Sequence, residues 1–95
     1  MSFRLSPKAR EDLRGIWRHT TAHWGRAQAN KYLRALGETF DRLAAKPDLG
    51  RSCNDLRPGY RRIKAQAHVI FFRMDGGGVE IVRILHQSMD FRRHL

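Results

Sequence analysis

Residues 68–87, "HVIFFRMDGGGVEIVRILHQ", hold two apolar runs joined by three glycines, and each run carries one arginine, Arg73 or Arg83. Glycine adopts the positive backbone angles of a tight hairpin turn without strain, so the two runs must pair antiparallel. A third run, residues 60–65, precedes them across the short "KAQAH", which extends the pair to a meander over 60–65, 68–74 and 79–86. Strand side chains alternate, so parity assigns each a face. Val82 and Ile84 share one face, with Ile81, Arg83 and Leu85 on the other. Ile63 likewise stands opposite Arg62 and Lys64. An unpaired arginine is expensive to bury, so the expected core side holds Ile63, Val82 and Ile84. Arg62, Lys64 and Arg83 then face outward beside Ile81 and Leu85.

The first half of the chain reads differently. "SFRLS" alternates over residues 2–6 and predicts a short strand with Phe3 and Leu5 on one face. Ser6 followed by Pro7 is a helix start, because the hydroxyl caps free amides and proline fits the first turn. Ala9, Leu13, Ile16, Trp17, Thr20 and Trp24 then form one stripe, predicting a helix over 7–24 that stops at Gly25. A second stripe runs from Ala29 through Tyr32, Leu33, Leu36, Phe40 and Leu43 to Ala44, with Pro47 beyond it. So short a turn makes the two helices antiparallel. Both tryptophans are expected in the core with no functional role. Gly15 and Gly37 each cost a helix up to ~1 kcal/mol relative to alanine, and close helix approach is one reason to place them there.

Residues 46–59, "KPDLGRSCNDLRPG", read as loop. The tail "SMDFRRHL" reads as a short basic end that can turn helical, with Asp90 as its cap. The element order β-α-α-β-β-β places two helices on one face of a mostly antiparallel sheet, an α+β two-layer sandwich formed by a single domain over residues 1–95. Its other sheet face is expected to lie open.

Nineteen Lys and Arg against nine Asp and Glu leave a formal net charge of +10. Such a field attracts an acidic partner, whether protein, nucleic acid or anionic membrane. A mixed face of arginine and apolar side chains suits an amphipathic acidic peptide better than solvent. Arg73 and Arg83 are therefore expected to be interface residues. No apolar run is long enough to span a membrane, and the first residues lack the apolar stretch of a secretory signal, so a cytoplasmic protein is expected. The single cysteine, Cys53, is expected to be a free, solvent-facing thiol. The five histidines are scattered, and His19 with His23 is an i, i+4 pair without a carboxylate motif. No metal or other cofactor is expected.

Four pieces of sequence, in order and at this spacing, carry a resemblance: "LSPKAREDLRGIWRHT", "WGRAQANKYLRAL", "LRPGYRRIKAQAHVIFFR" and "VEIVRILHQSMD". The chain resembles the RelE/ParE superfamily of bacterial type II toxin–antitoxin toxins, and its ParE branch most closely. The resemblance implies a toxin neutralised by a cognate acidic, ParD-like antitoxin in a hetero-oligomer. In the ParE branch it implies poisoning of DNA gyrase without chemistry; in the RelE branch it implies cleavage of mRNA on the ribosome. Metal-free RNA cleavage needs an acid, a base and cations for the crowded phosphate. His86, Arg62, Lys64 and Arg83 are the candidates, although Arg83 and His86 differ by three positions and point to opposite faces of a straight strand. The tail offers no tyrosine to serve beside the histidine. The plainer role for His86 is a hydrogen-bonding residue closing the last strand. Gyrase poisoning is therefore preferred, with no catalytic residue. Arg62, Lys64, Arg73, Ile81, Arg83 and Leu85 are the candidates for antitoxin binding, and Arg92 and Arg93 for gyrase.

Overall fold

A computed structural model describes residues 2–95. Strand β1 (Phe3–Leu5) leads into α1 (Pro7–Trp24) and α2 (Arg26–Ala45). After a 3-10 turn at Pro47–Leu49 come β2 (Arg51–Ser52), β3 (Arg61–Ala65), β4 (His68–Asp75), β5 (Gly78–His86) and the short α3 (Phe91–His94). The five strands form one sheet in the order β1-β5-β4-β3-β2, with β1 parallel to β5 and the other pairs antiparallel. The α+β sandwich follows the expected order, with one strand added: β2 lies inside the segment read as loop.

Local chemistry explains the joints. Ser6 Oγ accepts from the Ala9 amide at 3.0 Å and donates to the Val82 carbonyl at 2.7 Å, so one hydroxyl both caps α1 and fastens it to β5. Gly25 alone connects α1 to α2, at φ 90°, a value that disfavours any side chain. The β4–β5 turn uses Gly76 and Gly77 at φ 53° and 86°, the paired positive angles of a tight hairpin.

The helix hairpin covers one sheet face. Leu36, Phe40 and Leu43 of α2 and Ile16 of α1 pack on Ile70, Phe72, Val79, Ile81 and Ile84. Parity fails here for two residues. Phe71 pairs with Arg83 but Phe72 pairs with Ile81, so Val82 is an extra residue in a β-bulge. A bulge inverts the alternation beyond it. Ile81 is therefore fully buried under the helices, opposite to expectation, and the half-buried Val82 is absent from that core.

The other sheet face is not open either. Cys53, Val69, Phe71 and Leu85 form a second buried cluster, roofed by Leu56, Tyr60, Phe91 and Leu95. Cys53 is fully buried rather than solvent-facing, and burial pushes its thiol up from the ordinary range. The polar composition around it misled, because Cys53 points inward from a loop whose backbone is tied to Tyr60. The tryptophans correct in the opposite direction. Trp17 is 37% exposed and Trp24 73% exposed, because their positions fall on the outer side and at the tip of the hairpin.

The glycines separate into two kinds. A Cβ at Gly15 or Gly37 would meet nothing within 4 Å, so neither permits a close helix contact. A Cβ at Gly50 would run into the Phe72 ring. Gly50→Ala should therefore lower stability in urea by ~1–3 kcal/mol. Gly15→Ala should raise it by ~0.5–1 kcal/mol. Equal effects at the two sites would show that packing at Gly50 does not constrain the fold.

Candidate functional site

Strand β3 sets out the basic face. Arg62 pairs with Phe71 and Lys64 with Val69, so both cations stand on the side of the second cluster, as parity placed them. With Arg51, Leu49, Val69 and Phe91 they line a shallow groove of about 410 Å³. Arg51 was not expected there. It enters only because β2 pairs with β3 in the register Arg51 to Arg62. A two-residue edge strand gives no periodic signal by which sequence could have found it. Arg73 lies exposed near the other end of β4, where its Nε donates to Glu80 at 2.7 Å. The hydrogen bond to Glu80 raises its already high pKa.

Three of the six residues expected to meet a partner are not surface residues. Ile81 is buried under the helices, and Leu85 belongs to the second cluster. Arg83 is taken up internally, its side chain only 15% exposed. Its Nε and Nη2 donate to the two oxygens of Asp12 on α1 at 2.8 and 2.9 Å, and Nη1 donates to the His94 carbonyl at 2.8 Å. The same Asp12 accepts from the Ile84 amide at 2.9 Å.

The candidate ribonuclease set is not brought together. His86 pairs across the strands with His68, which contacts Tyr32 of α2, and this places both imidazoles on the helix side of the sheet. Arg62 and Lys64 stand on the opposite side, and Arg83 is occupied by Asp12. His86 Nδ1 lies 2.7 Å from Ser88 Oγ and accepts from the Ser88 amide at 3.1 Å, which closes the turn after β5.

On the helix side, His19, Tyr32, His68, His86 and Trp24 line a second groove of about 550 Å³. Burial pushes the Tyr32 hydroxyl pKa up, and the Ala67 amide donates to its oxygen at 3.1 Å. The same hydroxyl lies in hydrogen-bond contact with His68 Nδ1, 2.6 Å away. Burial, together with His86 and His19, pushes His68 down to about 4 against a smaller upward pull from Asp12. His19 and His23 stack at 4.2 Å on α1, yet among the described residues no three His, Cys, Asp or Glu stand close enough to hold a metal ion.

Residues 3–91 match the family model of the ParE toxin of the type II toxin–antitoxin system parDE. The chain belongs to the ParE toxin family. It is 48% identical to Toxin ParE1 of Mycobacterium tuberculosis over 92 residues, 96% of this chain and 94% of that protein. It is 45% identical to Toxin ParE1 of Caulobacter vibrioides over 93 residues, covering 98% and 96% of the two chains. A solved structure of the chromosomal ParDE toxin–antitoxin system of P. aeruginosa superposes with a TM-score of 0.79 at 26% identity, covering 90% of this chain and 95% of that one. This ParE-family chain is thus a toxin component of a type II toxin–antitoxin system.

The half-buried His68 imidazole of this ParE-family chain gives its stability a pH dependence. His68 is neutral in the fold down to about pH 4, whereas an unfolded histidine takes up a proton near 6.5. Its contribution is complete above about pH 6.5 and is lost as pH falls toward 4, because the unfolded chain binds the proton first. Thermal midpoints should drop across that window, and His68→Gln should flatten the drop. An unchanged slope in the variant would place the acid sensitivity elsewhere.

Proposed function

We propose that this toxin binds its cognate acidic antitoxin through the Arg51–Arg62–Lys64 face, and that it poisons DNA gyrase by binding, with no catalytic residue. It acts in the cytoplasm, where both partners reside. The observation that carries the choice is the position of His86. A ribonuclease needs its proton donor and its phosphate-holding cations around one bond, and here the sheet stands between His86 and the Arg62–Lys64 pair. The family's ParE branch implies the same answer.

The basic groove supports the antitoxin reading through its mixture of three cations with Leu49, Val69 and Phe91. That mixture complements a segment of acidic and apolar residues, while Arg73 stands farther along β4, paired with Glu80. Arg62→Glu with Lys64→Glu should weaken antitoxin binding by about tenfold or more, with a larger effect at low salt. Unchanged affinity would remove this face from the complex.

Arg92 and Arg93 support a gyrase contact at the tail. Both are exposed on α3, while Phe91 and Leu95 anchor that turn in the second cluster. Because Phe91 and Leu95 pack on that cluster, deleting the tail would disturb the core. Substitution rather than deletion is therefore the fair test. Arg92→Glu with Arg93→Glu should keep the fold and antitoxin binding while reducing inhibition of gyrase supercoiling by about tenfold or more. A double variant as inhibitory as the parent would take the tail out of the mechanism. The same preparations, incubated with ribosome-bound mRNA, should leave it intact. Cleavage abolished by His86→Ala would transfer the protein to the RelE-like activity.

A further inference from the structure

Trp24 closes α1 with most of its indole in water, 73% exposed. It forms one wall of the helix-side groove of about 550 Å³, whose other walls are His19, Tyr32, His68 and His86, with Gln28 completing the polar edge. These are five flat rings around one space. Among the described residues no group hydrogen-bonds to His68 Nε2, and this nitrogen is not buried, so it is a polar edge open to that space. Gln28 adds an amide that both donates and accepts.

The charge around the groove is mostly positive: the nearby carboxylates, Glu11 and Asp12, are paired with Arg14 and Arg83. From Leu13 to Gly37 there is no Asp or Glu, while Arg14, Arg18, Arg26, Lys31 and Arg34 all lie exposed on the hairpin. Residues 65–69 and 84–89, which complete the groove, also contain no carboxylate. An acidic peptide would meet those cations, but it has no use for five ring faces beside hydrogen-bonding edges. A nucleobase has both a broad π-face and a donor–acceptor rim, and its backbone carries the matching charge. Aromatic platforms flanked by cations are the recurring means of holding unpaired bases.

We propose that this groove binds single-stranded nucleic acid, with a base stacked on Trp24, its edge on His68 and Gln28, and flanking phosphate held by Arg26. The groove lies across the sheet from the Arg62–Lys64 face, and its occupancy does not depend on gyrase being the target. DNA and RNA share the recognised chemistry, so the source is a matter for comparison.

Trp24 supplies its own reporter. In the full chain carrying Trp17→Phe, tryptophan fluorescence should fall as oligothymidylate or oligouridylate is added, and the tighter of the two names the source. Trp24→Ala, which removes only an exposed side chain, should weaken binding measured by anisotropy of a labelled oligonucleotide by about tenfold or more. An abasic oligodeoxynucleotide of equal length should bind at least tenfold more weakly than oligothymidylate and leave the fluorescence unchanged. Arg26→Gln should retain the quench and lower the log–log salt slope by about 0.7, the share of one phosphate contact. Equal affinity for abasic DNA or polyglutamate would reduce the groove to a charge effect and overturn the proposal. An absence of quenching by both oligonucleotides would overturn it as well, whatever the gyrase and antitoxin assays show.

Discussion

The Arg83 guanidinium holds three parts of the molecule at one point. Through Asp12 it grips α1; through its own strand it belongs to β5; and through the His94 carbonyl it fixes the tail. Asp12 extends the junction by accepting the Ile84 amide, where β5 runs on beyond the reach of the short strand β1. With side chains only 15% and 13% exposed, the pair sits where a lone charge would be costly. Removing either partner should cost on the order of 2–4 kcal/mol, much of it from the charge left behind. The bulge at Val82 is what presents Arg83 correctly, since without it the arginine would point beneath the helices.

From that junction the two faces acquire different work. The helix side carries the larger core and, beyond it, the ring-lined groove. The tail side carries the second cluster, and its remaining surface is the cationic groove of β2 and β3. Because the tail is pinned across Phe71, with the Phe91 ring 5.0 Å away, Arg92 and Arg93 are displayed on an ordered turn rather than a frayed end. The sheet keeps His86 and the Arg62–Lys64 pair on separate surfaces, the arrangement on which the proposed binding mechanism rests.

Much of the fold was legible because its signals are periodic or local. Ser6-Pro7, Gly25 and the glycine run mark their joints whatever surrounds them, and the two helical stripes are long. What failed were inferences that depend on a single residue's register. The bulge left no mark in the sequence, and it moved Ile81 and Val82 to the sides opposite those parity gave. Arg83 was correctly refused an unpaired burial, but its partner lies 71 positions earlier, and no local pattern joins Asp12 to it. The same distance effect concealed the burial of Cys53 and the anchoring of Phe91 and Leu95. Of the candidate site, Arg62, Lys64, Arg73, Arg92 and Arg93 are surface residues as read. Arg51 and the groove at Trp24 depend on pairings and packing that only three dimensions display.

Amide hydrogen exchange in an Asp12→Ala variant tests the junction most directly. If Arg83 and Asp12 hold helix, strand and tail together, protection should fall at the Ile84 amide and, in the same variant, at the Arg93 and Leu95 amides of the tail, with β3 and the centre of β4 little changed. Loss confined to Ile84, with the tail amides as protected as in the parent, would show that α3 is fastened independently and would contradict the account.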